Sequence, residues 1–134
     1  MKSASAGSAL IEFAGSLIVV SALFTGIFQF SYALCTYHAL VHAVRAGARY
    51  ASLQTPSPEL VQSVRNVVVY GDPEPRASAK PIAPGLNADN VELILEPGTA
   101  TVSVRGFELG SMFSTIKLDG RPTVTFPLTQ AASR

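Results

Sequence analysis

The sequence predicts an α+β protein in which a long N-terminal transmembrane helix continues into a small C-terminal domain. That domain is expected to hold a short helix and an antiparallel sheet of about three or four strands. Three observations carry this expectation. The 134 residues include 10 Lys or Arg and 9 Asp or Glu, and of these only Lys2 and Glu12 precede Arg45. The charged fraction is 14%, where a soluble domain usually carries about 25%. From Phe13 to Tyr37 there are 25 residues in a row without a formal charge. Beyond residue 90, by contrast, apolar and polar residues alternate in period two around a Pro-Gly pair, the signature of a hairpin.

The apolar run comes first. Wound as a helix at about 1.5 Å per residue it reaches about 37 Å, enough to cross a hydrocarbon layer of about 30 Å. A cleaved secretory signal is the rival, with Lys2 as its basic end. It fits poorly, because a signal's apolar core of about 7 to 15 residues follows the basic end directly, and here Glu12 and a Ser/Ala/Gly stretch intervene. Within the run Ser21, Thr25, Gln29, Tyr32 and Thr36 recur every three or four residues and share one helical face. Polar side chains in lipid tend to face neighbouring helices, so this polar membrane face, Ser21, Thr25 and Gln29 above all, is expected to meet a partner. The alternative is that the hydroxyls bond to their own helix backbone.

The helix is expected to continue past the membrane to the breaker Gln54-Thr55-Pro56-Ser57-Pro58, so that one long helix occupies residues 8–53. In this extension Ala39, Ala43, Gly47 and Ala51 form a stripe of small residues, a face for close helix packing on a sister helix or beneath the protein's own sheet. Tyr37, Val41, Val44 and Ala48 make an adjacent apolar line, and His38, His42, Arg45 and Arg49 a polar one. The two histidines stand four apart without an acidic or cysteine ligand nearby, so they read as a solvated edge and no metal is assigned. Cys35, the single cysteine, permits no internal disulfide and reads mainly as a small apolar residue.

Residues 54–90 read as a short helix and a Pro/Gly-rich connection. Ser57-Pro58-Glu59 supplies an N-cap, a proline at the first helical position and an acidic first turn, with Leu60, Val61, Val64, Val67 and Val68 at helical spacing and an end near Gly71. Pro73, Pro75, Pro81 and Pro84 then mark an ordered loop. Residues 91–134 read as the small β domain. Val91, Leu93 and Leu95 are expected to share a face with Ala100, Val102 and Val104 across a turn at Pro97-Gly98, with Thr123 to Phe126 as a third strand. The extension of the long helix is the natural cover for that sheet.

Chemistry is sparse. Neither a nucleophile elbow nor a phosphate-binding Gly-rich loop is present, both histidines lie on the helix, and the carboxylates are scattered at turns and strand edges. An enzyme, a cofactor and a small-molecule substrate are therefore not expected. With a net charge of +1 and no basic block, nucleic acid is not an expected partner either.

Two motifs carry a family resemblance: Gly7-Ser8-Ala9-Leu10-Ile11-Glu12-Phe13 directly before the apolar run, and Ala43-Val44-Arg45-Ala46-Gly47-Ala48-Arg49-Tyr50-Ala51 towards the end of the long helix. Together they resemble the TadE-like family of minor pilins or pseudopilins of the tight-adherence (Flp-type) pilus. Val44 stands where that family usually has a second Ala. The resemblance implies a leader of residues 1–7 removed by a prepilin peptidase between Gly7 and Ser8, and Glu12 as a charge used in assembly with other pilin subunits. It also implies a single pass through the bacterial cytoplasmic membrane, in contact with its lipid, with the C-terminal domain outside the cytoplasm. Basic residues flank both sides of the run, Lys2 on one and Arg45 and Arg49 on the other, so the orientation rests on the resemblance. The implied function is assembly of the pilus; the alternative is a single-pass accessory subunit that binds a partner in the secretion machinery without entering a filament.

Overall fold

A computed structural model describes residues 3–110 and 115–128, with side chains from residue 7 onward. The basic end of the expected leader, Lys2, and the tail of the expected β domain, 129–134, lie outside the described residues. The chain forms two compact units, Met1–Leu34 and Cys35–Arg134. A single helix, α1 (Ser3–Leu53), runs through both.

In the first unit α1 has no cover. Every large apolar side chain from Leu10 to Leu34, Phe13, Ile18, Phe24 and Phe28 among them, is 44–76% exposed. The core helix of a water-soluble protein would bury such a face, because apolar patches beyond a few hundred Å² are rarely left to water. Gly7–Leu53 is long and apolar enough to cross a membrane, and a bare apolar surface of that length is what a lipid-facing helix presents.

In the second unit the same helix changes character. Leu40, Ala43, Val44, Gly47, Ala48 and Ala51 are buried while His38, His42, Arg45, Ala46 and Arg49 are exposed. The buried positions recur at steps of three and one, which places them on one stripe of a helix with 3.6 residues per turn. A second helix, α2 (Pro58–Tyr70), returns after a short break. Its start is fixed by Ser57, whose hydroxyl accepts a hydrogen bond from the Leu60 amide at 3.2 Å, with Pro58 at the first turn where a missing amide costs nothing. Its end is fixed by Gly71, which takes the left-handed conformation (φ 79°) and donates its amide to the Val67 carbonyl at 2.9 Å. Leu60, Val64, Val67, Val68 and Val69 are its buried side chains.

The connection after α2 is ordered. The Ile82 amide donates to the Val69 carbonyl at 2.8 Å, and Ala83 and Leu86 are fully or almost fully buried. A 3-10 turn at Ala88–Asn90 leads into β1 (Val91–Glu96), which pairs antiparallel with β2 (Thr99–Val104). The register Val91↔Val104, Leu93↔Val102 and Leu95↔Ala100 is the one expected from the alternation, and Gly98 (φ 95°) supplies the positive φ that the two-residue turn needs. Two further strands, β3 (Phe107–Gly110) and β4 (Thr115–Leu118), pair with each other in a separate ribbon. The expected third strand is β5 (Thr123–Pro127), which pairs with β2, so the larger sheet has the order β1-β2-β5.

The three-stranded sheet is the expected one, and the ribbon of β3 and β4 adds a second, separate pair to it. The extra ribbon escaped the sequence because each arm is only four residues, too short for its alternation to stand out. Ala100, Val102 and Val104 of the central strand join Phe107 and Leu109 of β3, the α2 face and the α1 stripe in one core. Glu92 closes the outer face, with a salt bridge to Arg105 at 2.7 Å and a hydrogen bond from Ser103 at 3.2 Å.

Of the described glycines, Gly47 is the one where an added side chain would collide. A methyl group there would collide with the side chain of Val68 and lie 3.6 Å from both the Cγ1 and the carbonyl oxygen of Val64. A helical Gly→Ala change ordinarily gains about 0.5–1 kcal/mol. Here overpacking, at about 1–3 kcal/mol, outweighs that gain, because Val68 is fully buried and β-branched and has no free rotamer to retreat into. Gly47→Ala is therefore expected to lower the melting temperature of the detergent-solubilised chain by several degrees, and Gly47→Leu by more. Ala46→Leu, on the exposed face, is expected to leave it within about 2 °C. Equal losses from Gly47→Leu and Ala46→Leu in a thermal melt would show that the close approach is not limiting.

Candidate functional site

The residues singled out by sequence fall into two groups along α1. Gly7, Ser8, Glu12, Ser21, Thr25 and Gln29 lie in the first unit, and Ala39, Ala43, Gly47 and Ala51 in the second. Each group has its own physical setting.

Gly7 and Ser8 are exposed on α1, and a side chain at Gly7 would meet nothing within 4 Å. Glycine is also the weakest helix former after proline, so the helix opens more readily here than in the Leu/Ile/Val run that follows. Glu12 lies four residues beyond Ser8, one turn along the same face, and its side chain is exposed. Among the described residues its carboxylate has no ion-pair partner. Its backbone carbonyl accepts a bond from the Ser16 hydroxyl at 2.9 Å, so the polar groups of this turn are satisfied locally and the charge is left over.

The polar face Ser21, Thr25 and Gln29 has a mixed character. The Thr25 hydroxyl donates to the Ser21 carbonyl at 2.8 Å, the self-satisfied arrangement that hydroxyls adopt on an apolar helix. Ser21 and Thr25 are exposed and Gln29 is half-buried. A hydroxyl already bonded to its own helix adds little to helix association.

Of the small-residue stripe, Ala43, Gly47 and Ala51 are buried and Ala39 is half-buried. At Gly47 the neighbour is α2, through Val64 and Val68, where sequence reasoning had placed a sister helix or the sheet. The signal that identifies α2 is the pair of β-branched residues one turn apart, whose paired methyl groups need a glycine opposite. Cys35, His38 and His42 are all exposed, and among the described residues no three His, Cys, Asp or Glu gather into a metal-binding group.

One bare helix of membrane-crossing length that runs into a small α+β unit defines a class, the single-pass anchored protein with a compact extramembrane domain. Within that class, residues 7–49 of the chain match the family model described as TadE-like protein. The match begins at Gly7 and ends at Arg49, and so takes in Glu12, the bare face of α1 and the element from Ala43 to Arg49. The sheets and α2 lie outside the matched segment. No curated protein and no solved structure matches the chain.

The hydrogen bonding of Thr25 leads to a specific expectation. Thr25→Val removes a hydroxyl that serves its own helix, so it is expected to change helix association in micelles by less than about 0.6 kcal/mol, the average for an interhelical polar contact in lipid. Energy transfer between labelled helices measures this. A larger loss would mean that the hydroxyl turns to a partner on association.

Proposed function

We propose that this chain is a pseudopilin or minor pilin that takes part in assembling a tight-adherence pilus. In this reading it is held in the bacterial cytoplasmic membrane by α1, with the second unit outside the cytoplasm. A prepilin peptidase removes residues 1–7, and the mature helix then associates with other pilin or pseudopilin subunits. The observation that carries the reading is the coincidence of three features over one matched segment: Gly7 in an open stretch of helix, an uncompensated Glu12 one turn beyond Ser8, and an apolar face bare from Leu10 to Leu34.

Glu12 supplies the mechanism. A carboxylate at the edge of hydrocarbon needs a partner, since an acidic residue costs about 2.5–3.5 kcal/mol at a helix centre and less near its end. Cleavage after Gly7 would create an amine at Ser8, and Glu12 would then stand in the second turn, near the positive end of the helix dipole. The amine of a neighbouring subunit is the stronger partner, because opposite charges within about 4–6 Å stabilise one another. Such a pair fixes the axial register between helices as well as holding them together.

Mass spectrometry of membrane-extracted protein from cells with an active prepilin peptidase is expected to show the loss of Met1 to Gly7. An intact N-terminus in those cells would remove the reading's main support. Recovery of the mature chain in sheared pili distinguishes a filament subunit from an accessory subunit that stays in the membrane.

Glu12→Ala is expected to leave cleavage and insertion intact, because it makes the segment more apolar. It should nonetheless lower co-purification with pilus components about tenfold or more, the equivalent of a charged hydrogen bond at about 1.5–3 kcal/mol. Assembly by Glu12→Ala as efficient as the parent's, with failure of Glu12→Asp, would show that the carboxylate does not act as a charge.

A further inference from the structure

The second unit carries a cleft of about 340 Å³. One wall is α1, through Tyr37, Val41 and Arg45, spaced four apart on one side of the helix; the other is the segment into β5, through Arg121, Thr123 and Val124. Its volume falls in the range of small-molecule sites, about 300–1,000 Å³. We propose that this cleft binds the anionic headgroup of a membrane phospholipid, with Arg45 and Arg121 on the phosphate. The proposal rests on the membrane reading above and adds a ligand to it.

Charge complementarity comes first. Two arginines line the cleft, and no carboxylate does. The basic residues of the sheets are engaged elsewhere, Arg105 with Glu92 at 2.7 Å and Lys117 with Glu108 at 3.3 Å. Among the described residues Arg45 and Arg121 have no ion-pair partner, and both are exposed. Guanidinium forks match phosphate oxygens in pairs, which makes Arg the preferred residue for such an anion.

Position along the helix favours a lipid over a free anion. Tyr37 closes the uncharged apolar run and lines one end of the cleft. Tyrosine is enriched at the membrane–water boundary, where its ring sits at headgroup level. Arg45 lies eight residues further on, about 12 Å along the axis, and helical side chains lean towards the helix N-terminus. In the proposed complex the long Arg45 stem leans back towards Tyr37, into the headgroup layer of about 5–7 Å that lies outside the hydrocarbon. Val41 and Val124 give the cleft an apolar component suited to the glycerol end of a lipid.

The test uses the full chain in detergent micelles, titrated with short-chain phosphatidylglycerol, short-chain phosphatidylcholine or inorganic phosphate, with bound species counted by native mass spectrometry. Phosphatidylglycerol is expected to bind in preference to both other probes. Arg45→Gln and Arg121→Gln are each expected to weaken it about fivefold, the effect of one basic residue near a membrane surface. Arg49→Gln removes the same charge from α1 outside the cleft and is expected to have little effect.

Equal losses from all three variants would mean diffuse attraction and overturn the site. Binding of inorganic phosphate as tight as that of phosphatidylglycerol, or no preference over phosphatidylcholine, would overturn the lipid assignment. Alkaline extraction of membranes from the expressing cells separates the two levels. A chain released into the soluble fraction overturns both the membrane reading and this inference. A retained chain without lipid preference overturns this inference alone.

Discussion

Gly47 of α1 leaves its backbone open to the methyl groups of Val64 and Val68 on α2, and the arrangement of the second unit depends on that approach. A helix whose apolar surface is meant for lipid offers no obvious seat for a folded domain, because lipid tails are as apolar as leucine and nothing marks where one cover should end and another begin. Small residues provide the seat. Gly47 keeps the helix backbone within reach of Val64 and Val68, and Ala43 and Ala51 are buried in the same core, so the stripe is sealed from water. With α2 fixed at its start by Ser57 and at its end by Gly71, the chain is committed to return over its own helix. The sheet then completes the enclosure of Leu40, Val44 and Ala48.

The parts of this arrangement that depend on local chemistry were legible in the sequence. The ends of α2 follow from Ser57-Pro58 and Gly71, and the register of β1 and β2 follows from alternation around Pro97-Gly98, because caps and turns are written in adjacent residues. The stripe on α1 was legible as a stripe. Its neighbour was not, since nothing in residues 39–51 distinguishes a helix from the same chain from one in another chain. The ribbon of β3 and β4 was missed because four-residue strands carry too few alternations to stand out. Arg121 drew no notice for a similar reason: a single arginine beside a turn has no pattern, and it becomes informative only where the fold sets it opposite Arg45.

The family match divides the molecule along a physical line. It follows α1 from Gly7 to Arg49 and leaves the sheets outside. The matched part is constrained at both ends, by the small turn around Gly7 and Glu12 and by the small residues that seat α2. Between them the requirement is only for length and apolarity, which many sequences satisfy. The unmatched part is constrained by packing within itself, where hydrophobic residues of about the right volume can be exchanged as long as the pattern holds.

That division bears on how a bare helix can serve either a membrane or a filament. For Phe13, Ile18, Phe24 and Phe28, transfer from lipid to the side of another apolar helix changes little, because both surroundings exclude water and the hydrophobic effect does not separate them. Whatever selects between the two must come from groups that the two surroundings treat differently. The Thr25 hydroxyl is already satisfied by its own helix and contributes little to that choice. Glu12 is different: lipid offers its carboxylate nothing, whereas in the proposed assembly the Ser8 amine of a neighbouring subunit offers a positive charge at one height only. In the proposed assembly the apolar face makes association permissible, and the Glu12 carboxylate at its edge gives it a direction and a register.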